Sequence, residues 1–208
     1  MKTMVVGITG GIGSGKSEVC RIIRELGASV LVADELAREV IETDPSVKQK
    51  LKRALRFDPF DRHGRLDRKR LADAIFTNPR LRTSINQIVH PAVLRRINGV
   101  VQEARKRRSK RMLLIEAALL LESGADKMVD YVVVVDASKQ LRMPRAARHL
   151  GLAKQEVKRR IHAQLSSRDM RRHADFVIHN DGTLEDLRKK TELLWRILVG
   201  IHSTSGLT

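Results

Sequence analysis

The chain is poor in cysteine and in aromatic residues. Cys20 is its only cysteine, which excludes an intrachain disulfide and any zinc site built from several cysteines. Because Cys20 lies among the apolar residues of a predicted helix, we expect a packed thiol rather than a reactive one. Aromatic residues make up 3% of the chain, so the core must be aliphatic. Few side chains remain to stack on unpaired bases.

Long apolar segments are missing too. No run approaches the roughly 20 residues that cross a bilayer, and no apolar leader precedes the first motif. We therefore expect a soluble, cytoplasmic protein with no membrane partner. The length of 208 residues suits one compact domain with room for an inserted subdomain.

Acidic residues are outnumbered by basic ones, and the net charge is +17. Three interpretations stay open. Basic runs such as residues 105–111 are typical of nucleic-acid-binding proteins, of solvated helix ends, or of sites for polyanionic small molecules. We favour a small-molecule partner over nucleic acid, because base-stacking aromatic residues are scarce.

A glycine-rich stretch near the N-terminus is the strongest signal present. Residues 10–17 fit the pattern G-x-x-x-x-G-K-[ST], with an apolar run before it and an apolar-periodic segment after it. A strand followed by a helix is the context in which this pattern forms a phosphate-binding loop. The residues expected to hold a nucleoside triphosphate are Gly11, Ile12, Gly13, Ser14, Gly15, Lys16, Ser17 and Glu18.

Two side chains of this loop have predicted roles. Lys16 is expected to reach the β- and γ-phosphates, and the Ser17 hydroxyl to coordinate Mg²⁺. The rival dinucleotide fingerprint G-x-G-x-x-G is excluded, because it would require glycine at Lys16 or at Glu18. The remaining alternative is a tight turn with an incidental lysine, and the complete Gly-Lys-Ser ending weighs against it.

Strand and helix patterns alternate at both ends of the chain. Apolar runs predict strands at 4–6, 29–33, 112–115, 131–135 and 176–178, and periodicity predicts helices at 19–26 and 184–201. Residues 35–105 are predicted to be helical, with Asp67 and Asn78 as N-caps and breaks at Asp44-Pro45, 57–64, Asn78-Pro79 and His90-Pro91. This alternation predicts a three-layer α/β/α fold with a parallel sheet, in which the helical region is an insertion over the carboxyl ends of the strands.

Three carboxylates follow or end predicted strands, where ligands of such sheets bind. Asp34 could orient an acceptor hydroxyl and take its proton, or it could be the N-cap of a helix over 35–41; the roles are compatible. Glu116 and Asp136 resemble acids that hold Mg²⁺ through water. Each could equally be an ordinary strand-end carboxylate.

Arginines recur every three residues at Arg142, Arg145 and Arg148, interrupted by Pro144 and followed by a turn at Gly151 and a helix over 154–171. Such residues suit a lid that closes on a transferring phosphoryl group. A solvated basic helix is the alternative. His90 could line an acceptor pocket or be structural, and the other histidines show no metal-ligand spacing.

Several motifs together resemble the dephospho-coenzyme A kinase family over almost the whole chain. They are residues 7–17, Ala33–Arg38, Gly64–Arg68, Asn86–Pro91, Leu119–Glu122, Gln140 with its arginines, Gln164, Ala174-Asp175 and Asn180. The phosphate loop alone is shared by many kinases. Its combination with the Ala-Asp and His-Pro elements is much more particular.

The resemblance implies that ATP and Mg²⁺ phosphorylate the ribose 3′-hydroxyl of dephospho-coenzyme A. Asp34 would be the general base, assisted by Lys16 with Arg145 and Arg148 as lid residues. Arg142 and Asn180 would join the nucleotide site, Asn180 near the adenine. The acceptor side would include Thr9, Asp34, Arg38, His90 and Leu119.

The resemblance also implies a division of the chain. Residues 1–34, 106–137 and 166–208 would form the P-loop nucleotide-binding core, 35–105 a helical coenzyme-A-binding region and 138–165 a lid. The chain departs from the usual family pattern at Val32, Asp58, Ala118 and Pro144. The lid segment is slightly longer than usual, which leaves the roles of its individual arginines open.

Three other functions are considered. A nucleoside or nucleoside-monophosphate kinase would share the loop and the lid. A regulatory GTPase is disfavoured because the guanine signature N-K-x-D is absent from the sequence. A basic nucleic-acid-binding ATPase would bind DNA or RNA with a steep salt dependence. The sequence is compatible with a monomer or a small homo-oligomer.

Overall fold

The computed structural model describes residues 3–107, 112–151, 153–162 and 164–204. It divides into two compact units: Met1–Val32 with Val101–Thr208, and Ala33–Val100. Residues 108–111 of the basic run and residues 152 and 163 of the predicted lid lie outside the described residues.

The first unit is built on a parallel sheet, as predicted. In the described residues its strands are β1 (Val5–Thr9), β2 (Ser29–Val32), β3 (Leu113–Glu116), β4 (Tyr131–Asp136) and β5 (Phe176–His179). Their spatial order is β2-β3-β1-β4-β5. Gly7 of the central strand lies opposite Ile115 on one side and Val132 on the other. The loop that follows β1 therefore leaves the middle of the sheet at its carboxyl edge.

The helices of the described residues are, in chain order, α1 (Lys16–Glu25), α2 (Ala33–Thr43), α3 (Pro45–Leu55), α4 (Arg68–Thr77), α5 (Pro79–Lys106), α6 (Lys139–Leu150), α7 (Lys154–His162), α8 (Ser167–Arg172) and α9 (Leu184–Thr204). A short 3-10 helix covers Ala125–Met128. None of the described helices is both long enough and apolar enough to span a membrane.

Aliphatic side chains on one face of the sheet pack with α1 and α9 to form the main core cluster of the first unit. Ile8 and Leu114 of neighbouring strands are fully buried, and Ile23 of α1 and Leu198 of α9 pack in the same cluster. Cys20 is buried there as predicted, and burial raises the pKa of its thiol, which keeps the thiol protonated and unreactive.

The second unit contains the helices predicted for residues 35–105. The Asp67 carboxylate accepts the Arg70 amide at 3.0 Å, and the Asn78 side chain accepts the Leu81 amide at 3.0 Å, so both predicted N-caps are confirmed. Between α3 and α4 the chain turns back on itself through a single bridge of Phe60 and Leu66.

The boundary between β2 and α2 differs from the prediction. The strand ends at Val32 and the helix already begins at Ala33. Asp34 therefore lies inside the first helical turn, and its interpretation as an N-cap is wrong. A carboxylate in this turn still interacts favourably with the helix dipole.

Two prolines predicted to interrupt helices do not end them. Helix α5 continues through Pro91 and α6 through Pro144. Each proline removes one backbone hydrogen bond, but buried residues lie on both sides of it, such as Val89 and Val93 around Pro91 and Arg142 and Ala146 around Pro144. Packing of the flanking residues thus outweighs the local preference.

The helix predicted over 154–171 is two helices, α7 and α8. The Ser166 hydroxyl caps α8 by accepting the Asp169 amide at 3.1 Å. The segment that leads into this cap carries Gln164, whose side chain makes contacts described below.

Candidate functional site

The loop after β1 adopts the backbone geometry that its glycines allow. Gly13 has a φ of 76°, and a Cβ there would come within 2.2 Å of the Arg142 carbonyl oxygen. The Ser14 amide donates to the Gly11 carbonyl at 3.0 Å. Any other residue at Gly13 would be strained and would also collide with the main chain.

Lys16 is placed over the loop that precedes it. Its ammonium donates to the carbonyl of Gly10 at 2.8 Å and approaches that of Gly11 at 3.4 Å. Lys16 opens α1, whose N-terminus adds partial positive charge. Ammonium and helix terminus together favour the binding of an anion at this loop.

The structure distinguishes the two strand-end acids of the sheet. The Ser17 hydroxyl donates to Oε1 of Glu116 at 2.7 Å, and Glu116 is buried at the end of β3. Asp136, at the end of β4, instead forms an ion pair with Arg171. A hydroxyl beside a carboxylate supplies the oxygen donors that Mg²⁺ prefers when phosphates complete its coordination. Ser17 and Glu116 therefore fit this ion.

Arg142 is buried against the phosphate loop. Its Nε donates to the Ile12 carbonyl at 3.1 Å and its Nη1 to the Ser167 hydroxyl at 2.9 Å. A Cβ on Gly11 would lie 1.9 Å from Nη2, so the guanidinium packs directly on the loop. Burial lowers the pKa of Arg142, and the negative charge of Asp136 partly opposes this shift.

The other two arginines of α6 have different surroundings. Arg145 donates from Nη1 to the Asn180 carbonyl at 2.9 Å, whereas Arg148 is exposed. Asn180 itself is buried, and its amide donates to the Ser14 carbonyl at 2.8 Å. The structure thus brings Arg142, Arg145 and Asn180 to the phosphate loop directly or through one contact, and leaves Arg148 in solvent.

The sequence identified Gln164 only as one residue of the family motifs and predicted no role for it. Its Oε1 accepts the Ile12 amide at 3.0 Å, and its Nε2 donates to the Ala118 carbonyl at 3.2 Å. No local pattern around Gln164 indicates these contacts, since the residues concerned are far apart in the chain.

Two residues predicted for the acceptor side belong to the first unit. Thr9 ends β1, and its hydroxyl is buried without a hydrogen-bond partner among the described residues. Leu119 lies half-buried in the turn after β3. Thr9 thus lies at the carboxyl edge of the sheet, and Leu119 lies in the chain that leaves this edge.

The three remaining acceptor-side residues belong to the second unit. Asp34 is exposed in the first turn of α2, and Arg38 lies one turn later on the same helix face. His90 is half-buried in α5, and burial lowers its pKa, so the neutral imidazole is favoured near pH 7.

Comparison with known proteins identifies the family of the chain. The family model described as dephospho-CoA kinase matches residues 4–186. The dephospho-CoA kinase of Chlorobaculum tepidum is 38% identical over 203 residues, which cover 95% of this chain and 96% of that protein.

Two solved structures have a similar fold. A Thermus thermophilus protein superposes with a TM-score of 0.75 at 32% identity, covering 95% of this chain and 99% of the other. Dephospho-CoA kinase from Campylobacter jejuni superposes with a TM-score of 0.72 at 22% identity, covering 94% and 97%. With the family match over most of its length, the chain belongs to the dephospho-CoA kinase family.

Proposed function

We propose that this chain transfers the γ-phosphate of ATP to the ribose 3′-hydroxyl of dephospho-coenzyme A, the last step of coenzyme A biosynthesis. The observation that carries the proposal is the phosphate loop with Lys16 above it and the Ser17–Glu116 contact beside it. The family match supplies the acceptor.

In this proposal the loop binds the triphosphate and the surrounding cations hold it in place. Amides of the loop and the Lys16 ammonium would contact the β- and γ-phosphates, except the Ile12 amide, which donates to Gln164. Ser17 and Glu116 hold Mg²⁺, which when bound neutralises charge on the β- and γ-oxygens. Asn180 and Arg142 orient the nucleotide, Asn180 near the adenine.

Asp34 is the proposed general base. It follows the carboxyl end of β2, the edge of the sheet at which the phosphate loop follows β1. Its carboxylate would accept the proton of the ribose hydroxyl as that oxygen attacks the γ-phosphorus. Arg145 and Arg148 would stabilise the charge of the transferring group.

The acceptor would be bound by the helical second unit. Thr9, Arg38, His90 and Leu119 are the residues proposed to contact it. We also propose that residues 138–165 act as a lid, with 1–34, 106–137 and 166–208 as the nucleotide-binding core and 35–105 as the coenzyme-A-binding region. The reaction would take place in the cytoplasm, catalysed by a monomer or a small homo-oligomer.

The direct test is a turnover assay with Mg·ATP and dephospho-coenzyme A beside adenosine, AMP and shikimate as alternative acceptors. We expect 3′-phosphorylated product from dephospho-coenzyme A only. Preference for another acceptor would refute the proposed substrate, and ATPase activity stimulated by DNA or RNA would favour a nucleic-acid function.

Asp34→Asn tests the proposed base. We expect kcat to fall about 100-fold or more with little change in the KM for ATP, because the amide keeps the shape of the side chain but loses its basicity. The neighbouring exposed Glu35→Gln is the matched control and should keep near-normal turnover. Near-normal turnover of Asp34→Asn would show that Asp34 has no role as a base.

A further inference from the structure

One residue of the phosphate loop, Ile12, is held at both its backbone N–H and its backbone carbonyl by side chains that come from beyond α5. The Ile12 amide donates to Gln164 at 3.0 Å, and the Ile12 carbonyl accepts from Arg142 at 3.1 Å. Ile12 stands between Gly11 and Gly13, where the backbone has the least intrinsic restraint. These two contacts therefore supply a restraint that the glycines themselves lack.

The Gln164 carboxamide also reaches a second loop. Its Nε2 donates to the carbonyl of Ala118 at 3.2 Å. Ala118 follows Glu116 by two residues, so Gln164 bridges the loop after β1 and the loop after β3, the strand that ends at the acid beside Ser17. Its amide offers an acceptor to one loop and a donor to the other.

Neighbouring residues hold the Gln164 segment itself. The Leu165 amide donates to the Glu122 carboxylate at 2.9 Å, and the Ser167 hydroxyl accepts from Arg142 at 2.9 Å. Residues 164–167 thus contact the loop after β1, the loop after β3 and Arg142. A displacement of these residues would therefore move the backbone of Ile12.

We propose that Gln164 is a positioning residue for nucleotide binding. By holding the Ile12 amide it keeps that group away from the triphosphate and fixes the glycine-rich backbone, so that the amides of Gly13 and of Gly15 to Ser17 face the phosphates while the Ser14 amide closes the turn on Gly11. The role deepens the proposed kinase function, on which it rests for the identity of the nucleotide.

The test compares Gln164→Ala, the near-isosteric Gln164→Glu and the control Arg196→Ala, an exposed residue of α9 outside the proposed lid. ATP affinity is measured by calorimetry without acceptor, followed by kcat, both KM values and Tm. Losing the bond to the Ile12 amide in Gln164→Ala should weaken ATP binding about tenfold. The KM for dephospho-coenzyme A should change less than the ATP affinity, because Gln164 contacts the phosphate loop itself but on the acceptor side reaches only Ala118, the neighbour of Leu119.

Gln164→Glu should bind ATP no better than Gln164→Ala, because its carboxylate still accepts from the Ile12 amide but repels the Ala118 carbonyl and adds a negative charge beside the phosphate loop. Arg196→Ala should match the wild type. Unchanged ATP affinity in Gln164→Ala, wild-type ATP affinity in Gln164→Glu, or an increase of the KM for dephospho-coenzyme A as large as the loss of ATP affinity would overturn the proposal.

Failure of this role is distinguishable from failure of the proposed function. If the wild type binds ATP but phosphorylates a different acceptor, the substrate is wrong while the effect of Gln164 on ATP affinity still supports the positioning role. If dephospho-coenzyme A is phosphorylated and Gln164→Ala binds ATP normally, the function holds and the positioning role is lost.

Discussion

The phosphate loop and the arginine helix α6 show two ways in which a sequence can encode a binding site. In the loop, residues 10–17 are contiguous, and the spacing of their glycines with Lys16 and Ser17 is enough to recognise the site from the sequence. In α6, three arginines with equal spacing have three environments: Arg142 is buried on the loop, Arg145 contacts the Asn180 carbonyl and Arg148 is exposed. Equal spacing therefore does not imply equal function.

The largest effect is expected from the loop. Lys16→Ala should lower kcat/KM about 1,000-fold or more, because it removes a positive charge from the phosphates where charge is stabilised in transfer. The assay is steady-state turnover with saturating Mg·ATP. The control is Lys189→Ala, because Lys189 is exposed on α9 and pairs with Glu185. Turnover of Lys16→Ala at the level of this control would show that Lys16 has no role in the reaction.

A smaller effect is expected at the acid beside the loop. Glu116→Gln should raise the Mg²⁺ concentration for half-maximal turnover about ten- to 100-fold, because the Ser17 hydroxyl loses its anionic partner at the metal position. Asp136→Asn is the comparison, since Asp136 pairs with Arg171 instead. A larger shift of the Mg²⁺ requirement in Asp136→Asn would mean that Asp136, and not Glu116, is the acid that supports the bound metal.

The smallest effects separate the arginines of α6. Arg142→Ala should lower the free energy of unfolding by about 2 kcal/mol, since it breaks hydrogen bonds from a buried charged group to Ile12 and Ser167. Arg148→Ala should change it by less than about 0.5 kcal/mol, as is usual for exposed residues. Urea unfolding measures both values, and equal losses would mean that burial does not distinguish the two side chains.

Much of the fold was predictable because its signals are local. The buried strands are nearly continuous apolar runs, and the N-caps at Asp67 and Asn78 depend on residues three positions away. The predicted helix boundaries were wrong where tertiary packing opposed the local conformational preference of the sequence. Helices α5 and α6 pass through Pro91 and Pro144 because their flanking residues are buried, and α2 begins at Ala33, one residue before Asp34.

The candidate site was predictable only in part. The roles of Asp34, Arg38 and His90 remain predictions, since they depend on a bound acceptor. The sequence left Glu116 and Asp136 equivalent, and only their partners separate them. Gln164 could be recognised as a motif residue, but its two hydrogen bonds could not be predicted from its neighbours.

The sequence by itself determined the phosphate loop, the parallel strands and the family of this protein, because glycine conformation, apolar periodicity and motif spacing operate over a few residues. Tertiary structure alone decided which arginine is buried, which acid meets Ser17 and which side chain holds Ile12. Ser17 and Glu116 are 99 positions apart, and Ile12 and Gln164 are 152. Ser17 meets Glu116 because the parallel sheet brings the carboxyl ends of β1 and β3 to one edge, and Gln164 meets Ile12 because the chain between α7 and α8 packs beside that edge.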